Sequence, residues 1–108
     1  MFTSADAIVE LDKAIAAAGQ TVKLMKTAAG VPDAGGDRPA FVRGYKPDEL
    51  IGDVRQNDLR VILSPTGLAE LPEKGWKVLA RGKTRNVEAA EHISMGETVV
   101  RIELQVRG

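Results

Sequence analysis

The sequence predicts a mainly β protein: a small antiparallel β-barrel or rolled sheet with an N-terminal helix and a long flexible loop. Three observations predict it. Residues 98–107 (TVVRIELQVR) alternate strictly between apolar and polar, the period of a half-buried strand. The last third of the chain divides into short apolar runs separated by turns rich in Gly and Pro, the rhythm of small barrels. Residues 3–18 carry an apolar stripe at helical spacing, and no strand–helix alternation follows it, which argues against a parallel α/β fold. A chain of 108 residues suits one domain around one core.

The helix is predicted over 3–18. Thr3 or Ser4 can cap it, and Thr3-x-x-Asp6 has the form of a weak capping box. Ala7, Ile8, Leu11, Ile15 and Ala18 make one apolar stripe, with Asp6, Glu10, Asp12 and Lys13 mostly off it. Gly19 is a natural stop. Such a helix packs on its own domain or partly on a neighbouring subunit. Residues 21–27 read as a first strand, with Val22 and Leu24 alternating against Lys23 and Met25. Residues 28–39 hold Gly30, Pro32, Gly35 and Gly36 and no periodic pattern, so they read as a long mobile loop. A loop this long in a small domain is usually functional or disordered.

Ala40 to Arg43 reads as a short strand, and 46–52 as a single helical turn or a compact loop opened by Pro47 and closed by Gly52. Residues 53–63 read as a strand interrupted at Asn57-Asp58, with Leu59, Val61 and Leu63 on one face and Arg60 and Ile62 on the other. Ser64 to Gly67 breaks it, and Leu68 to Leu71 can form a helical turn. A turn at Pro72-x-x-Gly75, a strand at 76–80, a hairpin at Arg81-Gly82-Lys83 and a strand at 84–93 follow. That last strand is the least regular in pattern. After a turn at 95–97, the final strand places Val100, Ile102, Leu104 and Val106 on one face and Arg101, Glu103, Gln105 and Arg107 on the other.

Composition narrows the function. The 15 basic and 15 acidic residues give a net charge of zero, which argues against nucleic acid as the main partner, since phosphate binding needs a clustered positive field. A local basic patch remains open. The four aromatics, Phe2, Phe41, Tyr45 and Trp76, are scattered and make no stacking platform. No apolar run reaches the length of a membrane-spanning helix, and the first twelve residues lack the architecture of a signal peptide. There is no cysteine and one histidine, so neither disulfides nor an ordinary zinc site is expected.

The residues offer no enzyme chemistry. His92 has Glu91 beside it, on the opposite face of a strand, and Ser94 on its own face; a catalytic histidine needs a nucleophile to serve or an acid to orient it. Asp48, Glu49, Asp53 and Asp58 sit in a polar stretch with Lys46 and Arg55 and read as solvated surface charge. Gly35-Gly36-Asp37-Arg38 lacks the Gly-Lys-Ser/Thr of a phosphate-binding loop. Arg81-Gly82-Lys83-Thr84-Arg85 is the one basic run; at a hairpin tip it is solvated or touches a nucleic-acid backbone. No catalytic, cofactor-binding or metal-binding residue is assigned, and no cofactor is expected.

One resemblance bears on function. The series Pro72-x-x-Gly75-x-x-Val78, Arg81-Gly82-Lys83, Val87, then Thr98 through Gly108 resembles the end of the head–tail joining proteins of tailed bacteriophages, also called head-closure or stopper proteins. Val42-Arg43-Gly44-Tyr45 through Asp58 to Leu63, and the position of the N-terminal helix, are similar to the rest of that family. The resemblance implies a structural virion protein of the neck, made in the host bacterial cytoplasm. Its partners would be itself, in a six- or twelve-fold ring, portal or adaptor proteins on the head side, and tail-terminator or tail proteins on the other. It would touch channel DNA transiently, with no membrane involved. The candidate partner contacts are Gly30, Val31, Pro32, Asp33, Gly35, Gly36, Asp37 and Arg38 of the loop, which could reach the adaptor or gate the channel, and Arg81, Lys83 and Arg85 of the hairpin. Strand 98–107 is expected to offer an edge to a neighbouring sheet, and deletion of 30–37 to leave a folded barrel. The alternatives are a nucleic-acid-binding small barrel of the OB type and a tail-terminator or tail-tube ring subunit.

Overall fold

A computed structural model describes residues 2–25, 32–45, 48, 52, 54–55, 57–66 and 71–108, with the backbone alone for 32–36. One helix, α1 (Ser4–Ala18), is followed by β1 (Gln20–Met25), β2 (Pro32–Gly44), β3 (Leu59–Leu63), β4 (Lys77–Ala80), β5 (Lys83–Met95) and β6 (Thr98–Arg107). The strands close into an antiparallel barrel in the order β1-β2-β3-β6-β5-β4, with β4 returning to β1. The predicted class, a small β-barrel with an N-terminal helix, is the observed one.

Helix α1 begins at the predicted cap. Thr3 Oγ1 accepts from the Asp6 amide at 3.2 Å and Asp6 Oδ2 accepts from the Thr3 amide at 2.8 Å, the reciprocal bonds of a capping box. Its stripe is only lightly covered: Ile15 is buried, Ala7, Ile8 and Leu11 are half-buried, and Ala18 is exposed. Gly19 stops the helix in extended backbone, φ −86° and ψ −177°. What requires glycine there is space. A Cβ would stand 2.6 Å from the Ile15 carbonyl oxygen and 2.7 Å from that of Ala40, and backbone atoms cannot yield.

The interior is built from the inward faces of all six strands, including Val22, Leu24, Val42, Val61, Leu63, Val78, Val87, Ile102, Leu104 and Val106. Each such side chain contributes roughly 1.5–3 kcal/mol relative to exposure. Strand β6 matches its predicted alternation residue for residue. On β3, Leu59, Val61 and Leu63 face inward as predicted, while Ile62 is also buried, outside the interior cluster. The helix packs on β6 and β2, the two neighbours of β3.

Several expectations are corrected. Residues 32–39 are not a loop but the first part of β2, paired with β1 through Thr21↔Pro39, Val22↔Arg38, Lys23↔Asp37 and Met25↔Pro32. Between the last two pairs, five steps of β2 match two of β1. A bulge of this size accommodates the Gly-Gly pair and erases the alternation that would have marked a strand. Residues 28–31 lie outside the described residues, as does most of the predicted turns at 46–52 and 68–71. Strand β1 is described over Gln20–Met25, with 26–27 outside the described residues, and its Met25 is buried rather than on the polar face. Val54, Arg55, Asn57 and Asp58 precede β3 and are not strand. Strand β6 offers no long free edge, because β3 and β5 flank it across 102–106.

The irregular pattern of β5 has a cause. Its register with β6 slips between Val87 and Ala89 and again between Ile93 and Ser94. The first slip has its extra residue, Glu88, on β5 and flips the inward parity of that strand; the second has its extra residue, Val100, on β6. The Arg81-Gly82 turn has positive φ at both central residues, 52° and 75°, with Ala80 opposite Lys83. That is the form whose twist matches its flanking strands.

Candidate interaction surface

The functional side chains gather on the outer face of β3, β6 and β5. Asp58 continues the β3–β6 register by one step beyond Leu59↔Val106 and so comes opposite Arg107. Arg107 donates from Nε to Asp58 Oδ1 at 2.9 Å and from Nη2 to Oδ2 at 3.0 Å. Gln105 Nε2 donates to the same Oδ2 at 2.8 Å, and the Arg55 amide at 2.9 Å. The bulge at Glu88 aims its carboxylate at Arg107, which donates from Nη1 at 3.1 Å. Asp58 is 1% exposed. Burial alone pushes its carboxyl up. The Arg107 side chain, the Arg55 amide, the Gln105 amide and the Arg107 charge together outweigh that and hold it down at about 2. The reading of Asp58 as solvated surface charge is therefore corrected: it is a buried anchor that fixes the start of β3 to the end of β6.

Beside this clamp lies an open trough of about 220 Å³. Glu103 and Gln105 of β6 line it, Ala89 and Glu91 of β5 form one side, and Tyr45 and Val54 the other. Arg60 stacks over the Tyr45 ring at 5.1 Å from its centroid, a cation–π contact, and approaches Glu103 Oε1 at 3.6 Å. Arg101 Nε forms an ion pair with the other oxygen, Glu103 Oε2, at 2.8 Å. Glu91 stands directly across from Glu103 in the β5–β6 register and has no cationic partner among the described residues.

The residues singled out from the sequence fall in two separate places. Gly30 and Val31 lie outside the described residues; Pro32, Asp33, Gly35 and Gly36 belong to the backbone of β2. Asp37 is exposed, and Arg38 donates to the Thr66 carbonyl at 3.4 Å. Arg81, Lys83 and Arg85 gather at the β4–β5 turn, where a Cβ on Gly108 would meet the Arg85 and Lys83 side chains. Strand β1 separates this group from 32–38. Arg81 Nη2 donates to the Val42 carbonyl at 3.0 Å and Arg85 Nε to that of Ala80 at 3.3 Å. No acidic side chain pairs with these three among the described residues.

Sequence reasoning missed the clamp and the trough. The available signal was Asp58 placed two residues before Arg60 on the outward parity of β3, with Arg107 at the end of the outward parity of β6. His92 Nε2 lies 2.8 Å from the Pro72 carbonyl oxygen, a contact that ties β5 to the segment before β4. Among the described residues, no three His, Cys, Asp or Glu side chains gather as metal ligands, and no helix is long and apolar enough to cross a membrane.

The fold thus defines a small closed antiparallel barrel with a capped N-terminal helix and a polar clamp on its outer face. No protein-family model and no curated protein matches this chain.

Proposed function

We propose that the chain is a structural neck protein of a tailed bacteriophage or related gene-transfer particle. In this reading it forms a ring that closes the DNA-filled head and docks the tail. One observation carries it. Two of the segments that carry the family resemblance, 58–63 and 98–107, are hydrogen-bonded neighbours in the barrel, joined at their ends by Asp58 and Arg107. Part of the resemblance therefore falls on one contiguous pair of strands. The barrel buries its own core, and ring closure would come from repeated heterologous contacts between copies. The work is assembly, not catalysis. Particles made without the chain should package DNA and then leak it, or fail to acquire tails. Normal tailed, DNA-filled particles in its absence would defeat the proposal.

A second reading, a nucleic-acid-binding small barrel, is favoured by the cluster of Arg81, Lys83 and Arg85, in which the Arg81 and Arg85 guanidiniums bond backbone carbonyls. It requires duplex or single-stranded DNA binding that weakens steeply with salt. Binding absent at low salt would remove it.

A further inference from the structure

We propose that the free edge of β5, residues 89–95, takes an added strand: an extended segment of a partner protein that sets a lysine or arginine against Glu91 at the adjoining trough. Strand β5 is paired with β6 from Asn86 to Met95, but β4 covers only Lys83 to Asn86 on its other side. Val87 still bonds locally, its amide donating to the Trp76 carbonyl at 2.9 Å and its carbonyl accepting from Gly75 at 3.1 Å. Beyond it, among the described residues, no strand lies along that side of 89–95. An unpaired edge presents a row of amides and carbonyls ready to pair with another extended backbone.

Natural edges are commonly blocked by proline or lysine. Residues 89–95 (AAEHISM) contain neither, and Ala89 and Ala90 carry only methyl groups. Met95 at the far end is 38% exposed. The trough begins at this same edge, since Ala89 and Glu91 form its near side. At about 220 Å³ it is smaller than the roughly 300–1,000 Å³ of sites for cofactors and similar ligands. It suits one long side chain carried by a strand.

Charge selects that side chain. Both oxygens of Glu103 are taken, one by Arg60 and one by Arg101. Glu91 faces Glu103 with no cation of its own among the described residues. Like charges directly across a sheet destabilise it, and a basic side chain arriving from the added strand relieves this. The inference goes beyond the neck reading and does not rest on it.

The test uses the full-length, ¹⁵N-labelled chain and two blocked heptapeptides, TVTKTVT and TVTETVT, followed by amide chemical shifts and hydrogen exchange. The lysine peptide is expected to shift and protect amides within 89–95 and to move the Gln105 side-chain amide. The glutamate peptide should bind at least about fivefold more weakly. Glu91→Gln, an exposed substitution, should abolish that preference without abolishing binding. No response at millimolar peptide, a response confined to the Arg81–Arg85 turn, or equal affinity for both peptides would overturn the proposal. So would protection of the same amides by self-association of the chain alone. Absence of the chain from phage particles would leave all of these readouts unchanged.

Discussion

Replacing Asp58 by asparagine keeps the side-chain shape and removes the charge that Arg107 and Gln105 converge on. Asp58 is 1% exposed and accepts four hydrogen bonds of 2.8–3.0 Å, three of them from side chains. Breaking one partner of a buried pair costs about 3–5 kcal/mol. The Arg107 side chain retains 26% exposure, so water takes up part of the loss, and we expect about 2–3 kcal/mol at pH 7. The same interactions set a pH dependence. The carboxyl is lowered from its ordinary 3.8 to about 2 on folding. A depressed carboxylate contributes stability above its unfolded pKa and loses it as pH falls through the folded value. The window is therefore from about pH 4 down to pH 2, and the shift corresponds to about 2 kcal/mol. Urea melts of wild type and Asp58→Asn across this range check it. Other carboxyls titrate there too, so the informative quantity is the gap between the two proteins. We predict a gap that is full at pH 7 and largely closed at pH 2. Equal stability at pH 7, or a gap that does not change with pH, would refute the reasoning.

Val100→Asp places an unpaired charge on the inward face of β6, where Val100 is 8% exposed; loss of a cooperative thermal melt is expected, and a melt near the wild-type temperature would show the position tolerates water. Gly19→Ala forces a Cβ against two backbone carbonyls and should cost about 1–3 kcal/mol, read as a lowered urea midpoint. Gly82→Ala puts a side chain at φ +75° and should cost about 1 kcal/mol by the same measurement. Deletion of 30–37 removes residues of β2 that pair with Met25 and Lys23; the barrel should lose cooperative unfolding, against the expectation for a dispensable loop.

The elements most legible in the sequence are those whose pattern comes from one uninterrupted face. Strand β6 is read residue for residue because its ladder with β3 is regular from Ile102 to Val106. Helix α1 is read because Thr3 and Asp6 satisfy its first amides locally. Strand β2 is hidden because its Gly-rich half is held by pairing with β1 across a bulge, and pairing leaves no trace in local composition. Strand β5 looks irregular for the same reason, with two register slips in 13 residues. The Asp58 clamp was illegible because it joins residues 49 apart; only the barrel register brings them opposite. The basic turn at 81–85 was legible as a projecting group, since a two-residue hairpin is a local property. What it contacts is not encoded there.

The central claim is that this barrel works as part of a tailed particle. The most direct measurement is quantitative mass spectrometry of particles banded on a density gradient from cells that make the native chain. A neck protein should appear in the tailed, DNA-filled band at a fixed, ring-like number of copies per particle. Recovery only from the soluble fraction, with none in any particle band, would contradict it.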